Sequence, residues 1–585
     1  MTQGAVAIRP RAGSRTRAES WLQRHWWTGL FWSLLLLLLF LVGLPLLGLL
    51  AGSLSVSGTP SRFAFTLAHF TKVLGDTRTY ELLVTSVVFS AASVVMATVI
   101  GAPLAWLVER TYLPKKNVIR AVIFAQVAIP PVLLAMSWVL LLSPKIGLLN
   151  ALVEPLLGPA AFNVYSMPGM IIVQGLSLVP LIFIMLSPAL RNLDASYEEA
   201  ALAAGTPLWT VLRRVSFPII RPALLAVVLY AFVLGLLAFD IPATVGIPGN
   251  IFVFSSEIYF YIHRYAVPLY GPASALSMVT LVIVLGLGLF YLRATGGVRR
   301  FATMTGKFRP HALRLGPRGK AIAFTWLGVY LAAGLVLPIA VMAWTSFLPY
   351  FTRLGPESAA LLTLQNYQDV FSTGNGPLAL RNTVQNSIVA ATVGTMLAAV
   401  IAWVVMKSPV RQRRLLDVLA LAPLVIPGVV LGLSLQYVYL ALAFLPVYGT
   451  IWILTISHVT ASLPFGTRNT NSAMAQVHPE LEEASLASGR SYFNAFRTIT
   501  LPLIAPALVF IWLWTLVHSV RDLSTSVMLY SPRNPVLANV LWQLWDYGNL
   551  TTGAAVGTLM LVVLFAIALL ALRILGRSRS GAGLL

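Results

Sequence analysis

Glu198-Glu199-Ala200-Ala201-Leu202-Ala203-Ala204-Gly205, running on through Phe217-Pro218 to Pro222, is met again as Glu482-Glu483-Ala484-Ser485-Leu486-Ala487-Ser488-Gly489, running on through Leu501-Pro502 to Pro506. The copies lie 284 residues apart without a gap, and 10 of 25 positions are identical. Chance does not keep Gly205, Pro218 and Pro222 in register with Gly489, Pro502 and Pro506. Asp194 or Ser196 can cap a helix whose first turn holds Glu198 and Glu199, acids that suit the positive end of its dipole. In the second copy Pro479 occupies the first turn, with Glu480, Glu482 and Glu483 around it. Gly205 and Gly489 mark the stop, since glycine tolerates the left-handed conformation that ends helices. Thr206-Pro207 then opens a short helix with a stripe at Leu208, Val211, Leu212 and Val215, matched by Tyr492, Ala495, Phe496 and Ile499. Pro218 and Pro502 read as its end. The pattern is helix, glycine corner, helix, proline stop, written twice.

What surrounds these elbows is strongly apolar. Of 585 residues 58% are hydrophobic and only 10% charged, with a mean hydropathy of +0.84. A soluble domain of this size cannot cover itself with so little polar surface, so the expected fold class is an all-α polytopic membrane protein. Net charge +22 would suggest nucleic acid in a soluble chain; here basic loops on the cytoplasmic side of a membrane explain it, and no nucleic-acid partner is expected. The absence of cysteine excludes disulfides, thiolate metal sites and cysteine nucleophiles.

Spans fit at 30–54, 81–108, 119–142, 168–189, 219–240 and 272–293, and again at 321–347, 384–406, 415–441, 449–466, 503–521 and 552–574. The expected layout is a tail 1–28, a first unit 29–293 with its loop at 190–218, a linker 294–320, a second unit 321–574 with its loop at 467–502, and a tail 575–585. The 30–54 run is too long for a signal-peptide core and reads as an uncleaved span. Arg293 to Lys320 hold eight Lys or Arg and no acid, which places the linker in the cytoplasm. Similarity between halves extends beyond the elbows: Ala105-Trp106 pairs with Ala402-Trp403, and Ile129-Pro130 with Ile426-Pro427, all 297 residues apart. With both termini inside, 31 Lys and Arg fall on inner segments and 9 on outer ones. Both elbows are then cytoplasmic. An even number of spans per half makes the halves parallel repeats about an axis along the membrane normal. Residues 241–270 read as an external loop with a short helix.

Glu-Ala-Ala, three residues, Gly, nine residues, then Ile-x-Leu-Pro resembles the cytoplasmic loop of permease subunits of ABC (ATP-binding-cassette) importers. The second copy departs from it only at Ser485; the first has Val215 and Phe217 for Ile and Leu. Two copies in one chain resemble a fused permease of the iron(III) and thiamine group, and the likeness covers nearly the whole chain. It implies about twelve transmembrane helices in two parallel six-helix repeats, the type I importer permease fold, in a bacterial plasma (inner) membrane. It also implies two partners besides the lipid bilayer: an ATPase dimer and a periplasmic or extracellular solute-binding protein. Glu198, Glu199, Ala200, Gly205 and Pro218, with Glu482, Glu483, Ala484, Gly489 and Pro502, would be the ATPase-coupling residues. Glu199 and Glu483 would orient the docking helix, and the glycines would permit the turn and close approach. Amphipathic helices lying on the lipid surface are the plainer alternative, but those are rich in Lys and Arg, and the first helix of each elbow is acidic.

No Gly-x-x-x-x-Gly-Lys-Ser/Thr loop occurs, because Thr305-Gly306-Lys307-Phe308 lacks both the earlier glycine and the hydroxyl. The chain is thus expected to have no cofactor and no catalytic residues of its own, with ATP and magnesium bound in the partner. Asp240, Arg521 and Asp522, just after the span that follows each elbow, are candidates for the pore or vestibule. Local capping or an Arg521–Asp522 pair is the alternative. His263, His458 and His518 have no metal-ligand spacing, and no metal is assigned. Ferric iron is the first solute suggested by the resemblance, with thiamine, phosphonate, polyamine or sulfate open. A secondary transporter driven by an ion gradient is the competing class; it would need charges in mid-span, which are sparse.

Overall fold

The computed structural model describes residues 17–58, 63–295, 313, 315–352, 356–372 and 375–578. The ends of both tails and most of the 294–320 linker lie outside the described residues. Among the described residues nine helices are long and apolar enough to cross a membrane: α1 (His25–Leu54), α2 (Thr77–Arg110), α4 (Met167–Arg191), α5 (Trp209–Leu237), α6 (Tyr270–Tyr291), α7 (Pro317–Ser346), α8 (Gly376–Lys407), α11 (Tyr492–Arg521) and α12 (Leu550–Leu570). Two bent pairs add α3 (Lys116–Gln126 with Pro131–Leu142, 93°) and α9 (Arg414–Val425 with Gly428–Ala441, 112°). Ile451–Met474, α10, is 24 residues long but less apolar, because His458, Arg468 and several Ser, Thr and Asn stud it. The result is two sets of six. The expected straight spans at 119–142 and 415–441 are instead broken just before or at Pro130-Pro131 and Pro427, where a proline removes a donor and cannot continue the ladder.

Close packing within each unit relies on small residues, as expected where helices meet in lipid. A Cβ on Gly101 of α2 would meet Ile182 of α4 at 3.1 Å, and one on Gly466 of α10 would meet Ala398 of α8 at 2.7 Å. Gly101 corresponds to Ala398 and Ile182 to Gly466, so the two units make one contact with the glycine moved to the opposite helix.

The first helix of each unit bridges the two, packing on the last helix of its own unit and on helices of the other. The N-terminal end of α1 packs Trp27 against Trp403 of α8, ring centroids 4.7 Å apart and planes tilted, and its C-terminal half lays Gly48 and Gly52 against Val438 and Tyr437 of α9. Reciprocally, α7 donates from Tyr330 Oη to Gln126 Oε1 at 2.6 Å, while Ser137 Oγ of α3 donates to the Pro338 carbonyl at 3.0 Å. The halves are interlocked.

Two expectations are corrected. Pro218 and Pro502 do not end a helix; α5 begins at Trp209 and α11 at Tyr492, and both run straight through. A single widened turn precedes each proline: Phe217 N–H donates to the Leu212 carbonyl, and Leu501 N–H to the Phe496 carbonyl, five residues back. That turn draws the carbonyl four residues before the proline out of the ring's way. The same turn precedes Pro45 and Pro338. Nor is 241–270 a solvated loop. Helix Phe254–His263 enters the core, with Ser256 and Ile258 fully buried, as does its counterpart Leu537–Asp546. Each inserted helix starts by donating a backbone N–H to a hydroxyl of its own unit: Phe254 to Ser86 Oγ at 3.2 Å, and Leu537 to Thr383 Oγ1 at 2.9 Å.

Candidate functional site

Each elbow is a nine-residue helix, Ala195–Ala203 or Pro479–Ala487, followed by a glycine corner and the N-terminal end of α5 or α11. Asp194 caps the first, accepting from Ser196 N–H at 3.0 Å. Gly205 has φ +77° and Gly489 φ +84°. Around them the chain closes the same pair of hydrogen bonds twice: Gly205 N–H to the Leu202 carbonyl and Thr206 N–H to the Ala201 carbonyl, then Gly489 N–H to the Leu486 carbonyl and Arg490 N–H to the Ser485 carbonyl. Among the described residues, and beyond each glycine's own chain neighbours, no atom comes within 4 Å of a Cβ built on either glycine. Their conformation, not close packing inside the chain, requires glycine.

The residues that fasten each elbow are Glu198 and Glu482. Glu198 is 2% exposed. Ser216 Oγ donates to its Oε1 at 2.5 Å, and Arg110 at the end of α2 donates to its Oε2 and, at 2.9 Å, to the Leu193 carbonyl. Glu482 has the same partners in kind: Thr500 Oγ1 at 2.5 Å and Lys407 Nζ, at the end of α8, at 2.6 Å. Ser216 and Thr500 are 284 apart, and Arg110 and Lys407 are 297 apart, so the second unit repeats the whole clamp. A basic residue and a hydroxyl at matched offsets were the available signals for these four. Glu199, Glu483, Ala200 and Ala484 are exposed, on the side away from the clamp. Two large apolar residues join them there in each copy: Tyr197 and Trp209 in the first, Leu481 and Phe493 in the second, with Trp209 74% exposed. A fixed helix therefore presents a small-residue and aromatic face outward.

Asp240, Arg521 and Asp522 gather at the seam between units, each with its own partner. Asp240 Oδ1 accepts from Ser524 Oγ at 3.2 Å. Ser524 is the residue 284 on from Asp240, so the halves touch through equivalent positions. Asp522 turns into the second unit, where His458 Nε2 lies 3.1 Å from its Oδ2. Asn386 Nδ2 stands 2.8 Å from His458 Nδ1, and Asn386 Oδ1 accepts from Thr455 at 2.9 Å. With Asn386 donating to Nδ1, the ring proton sits on Nε2 and points at Asp522. Arg521 does not pair with Asp522; its guanidinium donates to the Val127 carbonyl in the break of α3. Nothing in the sequence linked His458 or Asn386 to this seam, because their partners lie on other helices.

Among the described residues nine apolar spans, two bent pairs and the more polar α10 fall into two repeated units, each with an anchored elbow, and define a polytopic all-α permease built by internal duplication. The chain belongs to the family described as binding-protein-dependent transport system inner membrane component, which matches residues 99–299 and again 391–581. It is a permease subunit of the ABC importer type, a multi-pass membrane protein that transports rather than catalyses. The ferric transport system permease protein of Actinobacillus pleuropneumoniae is 26% identical over 94% of this chain and 78% of its own length. A putative ferric transport system permease of Haemophilus influenzae is 27% identical over 78% of this chain and 71% of its own. A putative 2-aminoethylphosphonate transport system permease of Salmonella paratyphi A is 26% identical over 43% of this chain and 92% of its own.

Proposed function

We propose that this chain forms the path by which a small solute, ferric iron first, crosses a bacterial inner membrane, driven by a separate ATPase dimer and fed by an external binding protein. The observation that carries this reading is the duplicated clamp, Glu198 with Arg110 and Ser216, and Glu482 with Lys407 and Thr500. A rigid elbow can transmit force only if it is fastened to a long helix. Here each elbow is fastened to the end of α2 or α8 by charge and leads directly into α5 or α11. Two equivalent handles suit an ATPase dimer with two equivalent grooves. Closing of that dimer around ATP and magnesium draws the elbows together and rocks the units, and hydrolysis resets them. The units are 29–293 and 321–574, the basic linker 294–320 joins them in the cytoplasm, and both tails are cytoplasmic, in keeping with the 31 to 9 charge bias.

Ferric iron ranks ahead of thiamine, phosphonate, polyamine or sulfate because the two ferric relatives align across both units, whereas the phosphonate relative spans less than half of this chain. Deleting the chain from its host should abolish ATP-dependent uptake of radioactive iron, and detergent extracts of the full chain should carry a bound ATPase. Uptake driven by a proton or sodium gradient without ATP would overturn the proposal in favour of a secondary transporter.

A further inference from the structure

Pro131 has no N–H, so the Val127 carbonyl, in the break of α3, lacks the donor that a continuous helix would bring to it. Arg521, the last residue of α11 in the second unit, supplies one instead. A guanidinium donor makes a bond about twice as strong as a neutral one. Each side of this bond leads back to an elbow. α11 runs from the second elbow's glycine corner directly to Arg521. On the other side, Arg120 precedes Val127 by roughly 10 Å along the short helix Lys116–Gln126. Arg120 Nε donates to Glu109 Oε1 at 2.9 Å, and a second guanidinium nitrogen donates to Oε2. Glu109 is the neighbour of Arg110, which holds Glu198, and its side chain is 1% exposed. It also accepts from Arg191 Nε at 3.4 Å, just ahead of the Asp194 cap. Lys116–Gln126 is therefore a rod, gripped beside the first elbow at one end and bonded to the second unit at the other.

The duplication did not copy this route. At the matched offsets Met406 stands for Glu109, Asp417 for Arg120 and Leu237 for Arg521, while Gly428, in the place of Pro131, keeps its N–H. We propose that the Arg521–Val127 bond is a latch between the units, and that Glu109 and Arg120 are the positioning residues through which the first elbow releases it. The proposal rests on the ATPase-coupling reading above and names where the two elbows' motions meet. Bodies that rock against each other must give up a bond that joins them. When the elbows are drawn together, the rod carries Val127 with the first elbow while α11 carries Arg521 with the second, and the bond between them parts. Asp240 of the first unit stands close enough to act on the charge of Arg521 and gives the released guanidinium a second partner. The seam thus has two discrete arrangements that the elbows bias, which is what transmission over a distance requires.

The test uses the full chain, co-purified with its ATPase and placed in lipid nanodiscs. Because the chain has no cysteine, Tyr265→Cys and Tyr547→Cys put one spin label on each unit at exposed positions just after the inserted helices. The distance between the labels should shift when magnesium and ATP are added. Arg120→Leu should cut the shifted population about tenfold, the scale of one lost charge-assisted hydrogen bond. It should still bind the ATPase, since Glu109 keeps Arg191 and Glu198 keeps Arg110. Arg120→Lys, which retains the charge, should recover most of the shift. Arg521→Gln should show part of the shift without ATP, and the double variant Arg120→Leu, Arg521→Gln should respond like Arg521→Gln alone. That recovery is one that a misfolded chain cannot give. A full shift in Arg120→Leu, or a double variant as inert as Arg120→Leu, would overturn the latch and leave ATPase coupling standing. A wild-type distance that ATP leaves unchanged removes both.

Discussion

Glu198 and its neighbour Glu199 look interchangeable in the sequence, but burial separates them. Glu198 is closed in with Arg110, so Glu198→Ala leaves a guanidinium 2% exposed without its carboxylate. Stranding a buried charge costs about 3–5 kcal/mol. Lys407 is 22% exposed and can turn to water, so Glu482→Ala should cost about 1 kcal/mol. Thermal unfolding of the purified variants in detergent measures the difference, and equal losses would contradict the assignment. At the corners, Gly205→Ala and Gly489→Ala meet no steric obstacle and pay only for the left-handed conformation, about 1–2 kcal/mol each. The double variant Gly205→Val, Gly489→Val should still insert into membranes but lose ATP-driven uptake; normal uptake would tell against coupling through these corners. The repeat made the elbow visible because Gly and Pro landmarks are local. Which of two adjacent acids turns inward was hidden, since Arg110 lies 88 residues away in the chain.

Among the elements, the proline is where the sequence reading and the structure part. Pro218 and Pro502 carry the usual signal of a helix stop, and α5 and α11 pass through them because a wide turn moves the obstructing carbonyl aside. Pro218→Ala and Pro502→Ala should accordingly leave helix content unchanged by circular dichroism and shift stability by no more than about 1 kcal/mol. A marked loss of helicity would mean that the prolines, not the turns, set these helices. The short helix within 241–270 was legible, but the burial of the inserted helices was not, for a related reason. Phe254–His263 and Leu537–Asp546 are only ten residues each, too short to span, and apolarity alone cannot tell a loop helix at the surface from one driven into a core. Their burial comes from apolar packing of Phe254, Ile258, Leu537 and Leu541 in the common core, while Ser86 and Thr383 on other helices accept their first N–H groups.

For the molecule as a whole, duplication, spans and charge bias were readable because they are sums over many residues. The bridging of the units by α1 and α7 was not, since a span's sequence does not say which neighbours it packs on. That bridging makes the linker dispensable for assembly. Fragments 1–305 and 306–585, expressed together, should co-purify as one particle; fragments that separate would contradict the interlocked packing. The claim on which the rest depends is that both elbows hand on force from an ATPase in the cytosol. Because the chain has no cysteine, Ala200→Cys and Ala484→Cys place single reporters on the two exposed faces. In vesicles of known orientation, each should react with a membrane-impermeant thiol reagent from the cytosolic side only and cross-link to the ATPase. Labelling of either position from the opposite side, or a transporter that accumulates solute with no ATPase present, would contradict it.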